Sequence, residues 1–594
     1  MLNPEQSIHH WIKKLKDKSS QTAILYKDIP SNVWLKLSAL DYLKRIVLMS
    51  LHINKFIKSK KSSTRALEPQ SRQQFKVALI SQTRWEWAAI DVAVIGTGKI
   101  LVPLYPNQSD EDMTFILANS APDLIFVENE KLKEQVSLCI GQTPVKIVVI
   151  EDLMGEDFNK SAQEITEEEI DTFLEQAQKI DPEDNITLIY TSGTTGQPRG
   201  VVMQAQALVS EVSESFSLFN VDEKDTSLSF LPYAHVLGRI EHWGSYCMGY
   251  KSAFAESVDT LKKDLQYIKP QFLIAVPRIF EKIYAAVLNQ LETNPIKKKL
   301  FNEAQEVAKK MVYYRTTKQT PPLLLLGQYE LFSALVFKPI KKAFGDELRF
   351  SISGGAPLNP ELIHFFANIG IEIYEGYGLT ETFAAVTVNT QTQWEIGTVG
   401  RPIGDVKIRL ADDGEILIQS KKVMREYYNN PEATKNAFSD GYFKTGDIGE
   451  WSTQGFLKIT DRKKDLIKTA SGKYVAPQKL EGLLKEEPLI SHVLIVGDQQ
   501  KFISALIAVE SFATATGPVN ASDLSEDQKK MIEERIHKDI LQINSNLASY
   551  EAIKKFKIIY EPWTADNGCL TPSLKVKRKF LEKKYASLIE SIYF

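Results

Sequence analysis

Six short stretches carry the residues best suited to chemistry. Thr191 to Gly200, TSGTTGQPRG, follows the apolar run ITLIY. Its small residues allow a loop to bring backbone N–H groups onto phosphate oxygens. Thr191, Ser192, Thr194 and Thr195 add hydroxyl donors, and Arg199 adds positive charge. It is not a Walker A loop, because the GxxxxGKS/T pattern is absent. Ser353 to Pro357, SGGAP, follows the apolar LRFSIS, and paired glycines there admit a flat ligand or simply a tight turn. Tyr374 to Glu381 reads YEGYGLTE. Within it Tyr377 could stack on a base, Thr380 could bond a phosphate oxygen, and Glu381 could hold Mg²⁺, a hard cation that prefers oxygen. Lys444-Thr-Gly-Asp447 places a carboxylate after a turn, where it could accept both hydroxyls of a ribose. Asp461-Arg462 offers a second polar contact. LTPSLK, ending at Lys575, sets a lysine behind a proline turn at the head of a basic tail. Each stretch alone reads equally as a surface turn or a solvated side chain.

The surrounding chain supplies elements that would hold these loops. KVALIS (76–81), ILVPLYP (100–106), DLIFVEN (123–129), VKIVVIED (145–152), ITLIY (186–190), TSLSFLP (226–232) and FLIAVP (272–277) are strand-like. WEWAAIDVAVIGTG (85–98) has helical spacing. Strands alternating with helices imply a largely parallel α/β sheet. Residues 280–344 read as mostly helical and charged, and residues 411–460 as short β pieces with turns between them. The expected organisation is a large N-terminal domain, residues 1–461, of layered α/β subdomains with a small β-rich subdomain at about 400–460. A small, mobile α+β C-terminal domain, residues 462–594, follows the charged DRKKD.

The 594 residues are 43% hydrophobic and 25% charged, which is ordinary globular composition. A net charge of -3 argues against a dedicated nucleic-acid binder. Cys139, Cys247 and Cys569 are far apart and odd in number, so neither a zinc site nor a disulfide framework is expected, and a reducing, cytoplasmic setting fits. The first residues lack an apolar signal core. PPLLLLGQYELFSALVF (321–337) is interrupted by Gln328 and Glu330 and falls short of the ~20 residues of a spanning helix. It reads as a buried helix behind a loop. If instead it meets a membrane surface peripherally, Lys338, Lys341 and Lys342 would suit anionic headgroups.

Taken in order, TSGTTGQPRG, SGGAP, YGLTE, KTGD, DRKKDLIK and LTPSLK resemble the adenylate-forming superfamily of acyl-CoA synthetases, luciferases and peptide-synthetase adenylation domains. The resemblance runs from about residue 75 to 585. FLPYAHVLGR, VPRIFEKIY, VMREYYNNPEAT and DRKKDLIKTASGKYVAP look like the long-chain acyl-CoA synthetase branch. The resemblance implies ATP, Mg²⁺ and coenzyme A as cofactors and a fatty acid as the substrate. It implies that Thr191, Ser192, Gly193, Thr194, Thr195, Gly196 and Arg199 grip the β- and γ-phosphates. Gly354, Gly355 and Ala356 would line the adenine pocket, with Tyr377 and Gly378 against the ring. Thr380 would contact the α-phosphate, Glu381 would bind Mg²⁺, and Asp447 and Arg462 would hold the ribose. Lys575 would reach the carboxylate and α-phosphate, and His235 would border the acyl pocket. Lys464 would be the hinge, and Gly472 would shape the pantetheine tunnel. The sequence departs from the family at Ala205 and Ala207, where His and Asn are usual, and at Arg239, where some bacterial long-chain enzymes carry an aromatic gate. An enzyme that stops at the adenylate or loads a carrier protein, and a non-catalytic lipid-binding scaffold, stand as alternatives.

Overall fold

The computed structural model describes residues 7–593 except 29–30, 62–74, 192–196, 258, 293–294, 317–318, 464, 471, 486, 488, 510, 515–516, 521–523, 565–566 and 572–574. Continuous apolar runs make strands that are buried on both faces, as parallel sheets covered by helices require. Five of the expected strands join one seven-stranded sheet. Its order is Glu426–Tyr427, Arg199–Gln204, Asn185–Thr191, Ile100–Leu104, Lys76–Ile80, Leu124–Val127 and Lys146–Val149. The last five strands are parallel, and the first two are antiparallel additions at the edge.

The second sheet has nine strands, ordered Arg401–Pro402, Ala384–Val388, Glu372–Leu379, Phe350–Ser353, Phe272–Ala275, Thr226–Ser229, Lys251–Phe254, Thr22–Asp28 and Val33–Ser38. All twelve residues of the helix Trp85–Gly96 are buried, as an all-round apolar helix demands. Its Asp91 faces Arg239 of the helix Val236–Met248, and both side chains are fully buried. A five-stranded antiparallel sheet follows, built on Glu415–Gln419, Tyr442–Trp451 and Leu457–Arg462. Beyond it the strands Ile490–Val496, Ile503–Val509 and Ile553–Ile559 form a three-stranded sheet. The buried clusters on its two faces draw on residues 467–592.

Two expectations change. The segment 321–337 is not buried: the helical run Leu323–Lys342 has only 6% of its most apolar stretch inside the protein. Its inner side chains, Tyr329, Phe332 and Phe337, suffice to seat it, so its leucines point outward. KTGD is not a turn between elements but lies inside the strand Tyr442–Trp451. Leu417 pairs with Lys444 and Glu415 with Ile448, so residues 445–447 bulge from the ladder.

Candidate active site

The bulge presents Asp447 to one cleft. Gly446 takes φ +73°, and its N–H donates to Glu415 at 3.0 Å. Asp447 stands opposite Arg462 on the neighbouring strand, and Arg462 Nε donates to its Oδ1 at 3.0 Å. The Tyr377 hydroxyl donates to Oδ2 at 2.7 Å. Asp447 is 5% exposed and Arg462 39% exposed, so the carboxylate is shielded while its partner reaches solvent.

Tyr377 lies in the strand Glu372–Leu379, past its parallel stretch, where it pairs antiparallel with Thr387. At Gly378 a Cβ would lie 1.4 Å from the Ala384 carbonyl oxygen, so no larger residue fits this close approach. The chain then makes a single 3₁₀ turn, Thr380–Thr382, which presents Thr380 and Glu381. The Tyr427 hydroxyl donates to Glu381 Oε1 at 2.9 Å. The guanidinium of Arg199 lies 5.5 Å from the centre of the Tyr427 ring. Thr191 pairs with Arg199 across the base of the loop. Ser192, Gly193, Thr194, Thr195 and Gly196 lie outside the described residues.

SGGAP caps the next strand. Gly354 N donates to Ala275 O at 3.3 Å, and Gly355 takes φ +82°. The buried Glu375 carboxylate accepts from Leu358 N at 3.1 Å and so ties down the loop that carries Ala356. Burial pushes that carboxyl up, to about 8.

His235 caps the helix Val236–Met248, and its Nδ1 accepts from Leu237 N at 3.2 Å. Leu237 is also the nearest neighbour a Cβ at Gly354 would meet, at 3.4 Å. Burial first, and the charge of Lys575 second, push the His235 imidazole down to about 4. Lys575 enters from the C-terminal unit. Its loop is closed by Thr571 N donating to Lys575 O at 2.7 Å and Lys575 N donating to Thr571 Oγ1 at 3.0 Å. The Lys575 side chain is exposed to water, while neighbouring protein crowds its ammonium. That enclosure, then the charge of Arg462, push it down to about 8, while Asp447 and Glu381 pull the other way.

The structure therefore brings Tyr377, Glu381, Asp447, Arg462, His235 and Lys575 around one cleft, with Arg199 joined through Tyr427 and Thr380 adjacent to Glu381 in the 3₁₀ turn. Gly472 is placed elsewhere, in a turn where its N–H donates to Thr469 O and it takes φ +78°. Lys464 lies outside the described residues, but Lys463 beside it pairs with Glu415 at 2.8 Å and Asp413 at 2.5 Å. Sequence reasoning missed Tyr427, Glu375 and Glu415. Tyr427 sits in VMREYYNNPEAT, where two adjacent tyrosines were the available signal.

Arg239 does not line an opening. It forks onto Asp91 with Nε–Oδ2 at 3.0 Å and a second bond of 2.6 Å, and donates to Thr187 Oγ1 at 2.6 Å. Trp243 Nε1 also donates to Asp91, at 2.9 Å.

Comparison with known proteins accords with this geometry. The family model described as AMP-binding enzyme matches residues 65–428, and the AMP-binding enzyme C-terminal domain matches residues 464–594. The chain is 36% identical to long-chain-fatty-acid–CoA ligase FadD15 of Mycobacterium bovis, over 87% of this chain and 88% of that protein. It is 28% identical to human long-chain-fatty-acid–CoA ligase 1, over 87% and 78%. Among solved structures, the A domain of a Segniliparus rugosus carboxylic acid reductase, in complex with AMP and a carboxylic acid, aligns with TM-score 0.73 at 20% identity. That alignment covers 100% of this chain and 95% of that one. O-succinylbenzoate CoA synthetase of Bacillus subtilis, in complex with ATP and magnesium, aligns with TM-score 0.65 at 19% identity, over 96% and 99%. The chain belongs to the AMP-binding enzymes, the adenylate-forming superfamily, and within it to the long-chain acyl-CoA synthetase branch.

Proposed function

We propose that this protein is a long-chain fatty-acid–CoA ligase: it converts a fatty carboxylate and ATP to acyl-AMP and pyrophosphate, then passes the acyl group to coenzyme A, releasing AMP. The observation that carries the reading is the approach of Lys575, from the C-terminal unit, to Glu381, Asp447, Arg462 and His235. A carboxylate is anionic at neutral pH and a poor acyl donor. Its oxygen bonds to the α-phosphorus while the bond to the bridging oxygen of pyrophosphate breaks. Negative charge gathers on the α-phosphate oxygens, where the ammonium of Lys575 and the hydroxyl of Thr380 would meet it. Asp447 and Arg462 hold the ribose, and Tyr377 presents its ring to adenine while its hydroxyl fixes Asp447. Gly354, Gly355 and Ala356 form the other wall. Residues Thr191 to Gly196 and Arg199 hold the terminal phosphates.

Glu381 suits Mg²⁺: it is a hard oxygen donor, and no cluster of three or more His, Cys, Asp or Glu exists among the described residues to serve as an all-protein cage. Mg²⁺ is usually held by one or two carboxylates plus phosphate oxygens, and when bound it offsets phosphate charge.

In the second half-reaction the thiol of coenzyme A attacks the acyl carbon and AMP leaves. A lysine inside the cleft blocks that approach, so the C-terminal domain, residues 462–594, turns about Lys464 and brings Gly472 to the pantetheine channel. We place the enzyme in the cytoplasm, supported by three cysteines that are free thiols.

The test is acid-dependent ATP–pyrophosphate exchange, followed by thioester formation on addition of coenzyme A. Lys575→Ala should cut exchange by roughly 10²–10³-fold and spare thioester formation from supplied acyl-AMP. Equal loss in both half-reactions would contradict the role of Lys575. Exchange without any thioester product would favour a carrier-loading enzyme.

A further inference from the structure

Glu381 is gripped by one short stretch of chain, residues 422–427. Met424 N donates to the Glu381 carbonyl at 2.7 Å, and the Tyr427 hydroxyl holds its carboxylate. A third grip is indirect and starts at Lys422. The 3₁₀ turn Thr380–Thr382 leaves through Phe383 at φ +54° and Ala384 at φ +116°. Residues other than glycine take such angles only where their surroundings impose them. Directly beyond, Ala385 N donates to Glu211 Oε1 at 2.9 Å, and the Ser215 hydroxyl donates to the same oxygen at 3.1 Å. Glu211 lies on the helix Ala205–Phe216, which follows the strand that carries Arg199. Its other oxygen, Oε2, meets the Lys422 ammonium at 3.0 Å. Glu214 Oε2 meets the same ammonium, also at 3.0 Å. Lys422 and Glu211 are fully buried, while Glu214 is 27% exposed. Burying such ion pairs adds little stability over apolar side chains of the same volume, so folding alone does not account for them.

We propose that Glu211 and Lys422 are positioning residues for Glu381. Lys422 fixes the Glu211 carboxylate, and that carboxylate clamps the exit of the turn, so that Glu381 points to where Mg²⁺ and phosphate would sit. Both side chains are fully buried, so they act through the turn and not on substrate. Without Glu211 the Ala385 N–H loses its acceptor, and the strained pair Phe383–Ala384 is free to relax. Displacing a metal-holding carboxylate by as little as about 1 Å is enough to cost it most of its effect. The proposal rests on the assignment of Glu381 to Mg²⁺ made above.

The test is calorimetric binding of α,β-methylene-ATP, which cannot break at the bond that adenylation breaks, measured with Mg²⁺ and again in EDTA. The wild type should bind more tightly with Mg²⁺. Glu211→Gln keeps the shape of the side chain but gives up the charge that Lys422 holds. Glu211→Met/Lys422→Met replaces the pair by apolar chains of similar length. Both variants should lose about 10-fold in affinity with Mg²⁺ and less than about 2-fold in EDTA. Should the double variant unfold, Glu211→Gln alone decides, since Lys422 keeps Glu214 as its partner there. Amide hydrogen exchange should quicken in a peptide spanning residues 380–388 and stay unchanged in peptides from the parallel strands. Equal losses with and without metal, or an unchanged gain from Mg²⁺, overturn the proposal. So does exchange that quickens everywhere, which marks a general loosening, or that stays as in the wild type at 380–388. Glu381→Gln, measured alongside, should erase the gain from Mg²⁺. If it does not, the metal assignment of Glu381 falls and the positioning role falls with it. If it does while the Glu211 variants keep their gain, the positioning role alone is wrong.

Discussion

Lys575 offers the sharpest test because its charge is set by the cleft that it enters. Enclosure and Arg462 bring its ammonium down to about 8, against the ordinary lysine value of about 10.4. It is cationic below that value and loses its proton as pH rises through it. The cationic fraction should therefore fall roughly tenfold between pH 7 and pH 9. If that cation steadies charge at the α-phosphorus, kcat/KM for adenylate formation falls by the same factor, because this ratio reports the free enzyme. The assay is acid-dependent ATP–pyrophosphate exchange without coenzyme A, which removes the titration of the thiol near pH 8.5. The fatty carboxylate is already ionised across the range. Lys575→Arg keeps a charge throughout and should flatten the alkaline limb, whatever its absolute rate. Lys575→Ala should be slow and equally flat. A wild-type profile level through pH 9, or an arginine variant that breaks at the same pH, would refute the assignment.

Other outcomes follow from the same coordinates. Tyr377→Phe removes a buried hydrogen bond to the Asp447 carboxylate, a loss of roughly 1.5–3 kcal/mol, and should raise KM for ATP about 10-fold or more while leaving KM for the acid unchanged. An unchanged KM for ATP would detach Asp447 from the ribose. Arg239→Met strands Asp91 in a fully buried site and should cost roughly 3–5 kcal/mol, read as a lower urea midpoint for the first unfolding transition. A loss below about 1 kcal/mol would mean that other groups satisfy Asp91.

Much of the architecture was legible because the relevant signals are local. ITLIY, FLIAVP and KVALIS are nearly continuous apolar runs, a pattern that strands covered on both faces need and that loops avoid. Asp447, Arg462, Tyr377 and Glu381 could be named from motif order. Their mutual bonds could not, since Tyr377 and Asp447 are 70 residues apart and meet only through the bulge at 445–447. The role of Tyr427 was hidden for the same reason, although its tyrosine pair stood in the sequence: its partner Glu381 lies 46 residues earlier and its cation lies on a different strand. The segment 321–337 misled because apolar composition says how favourable burial would be, not whether the fold supplies a covering surface.

The fork of Arg239 on Asp91 also decides where this molecule is able to bend. Asp91 and Thr187 belong to the layer built on the seven-stranded sheet, while Arg239 and Trp243 ride on the nine-stranded one. Two slabs bolted through their middle by a dry, doubly bonded pair behave as a fixed anvil. On the two-pose reading proposed above, movement would fall instead to the chain beyond Asp461, where Lys463 pairs with Glu415. A C-terminal unit turning as proposed would then swing without disturbing the surface on which the proposed nucleotide would lie.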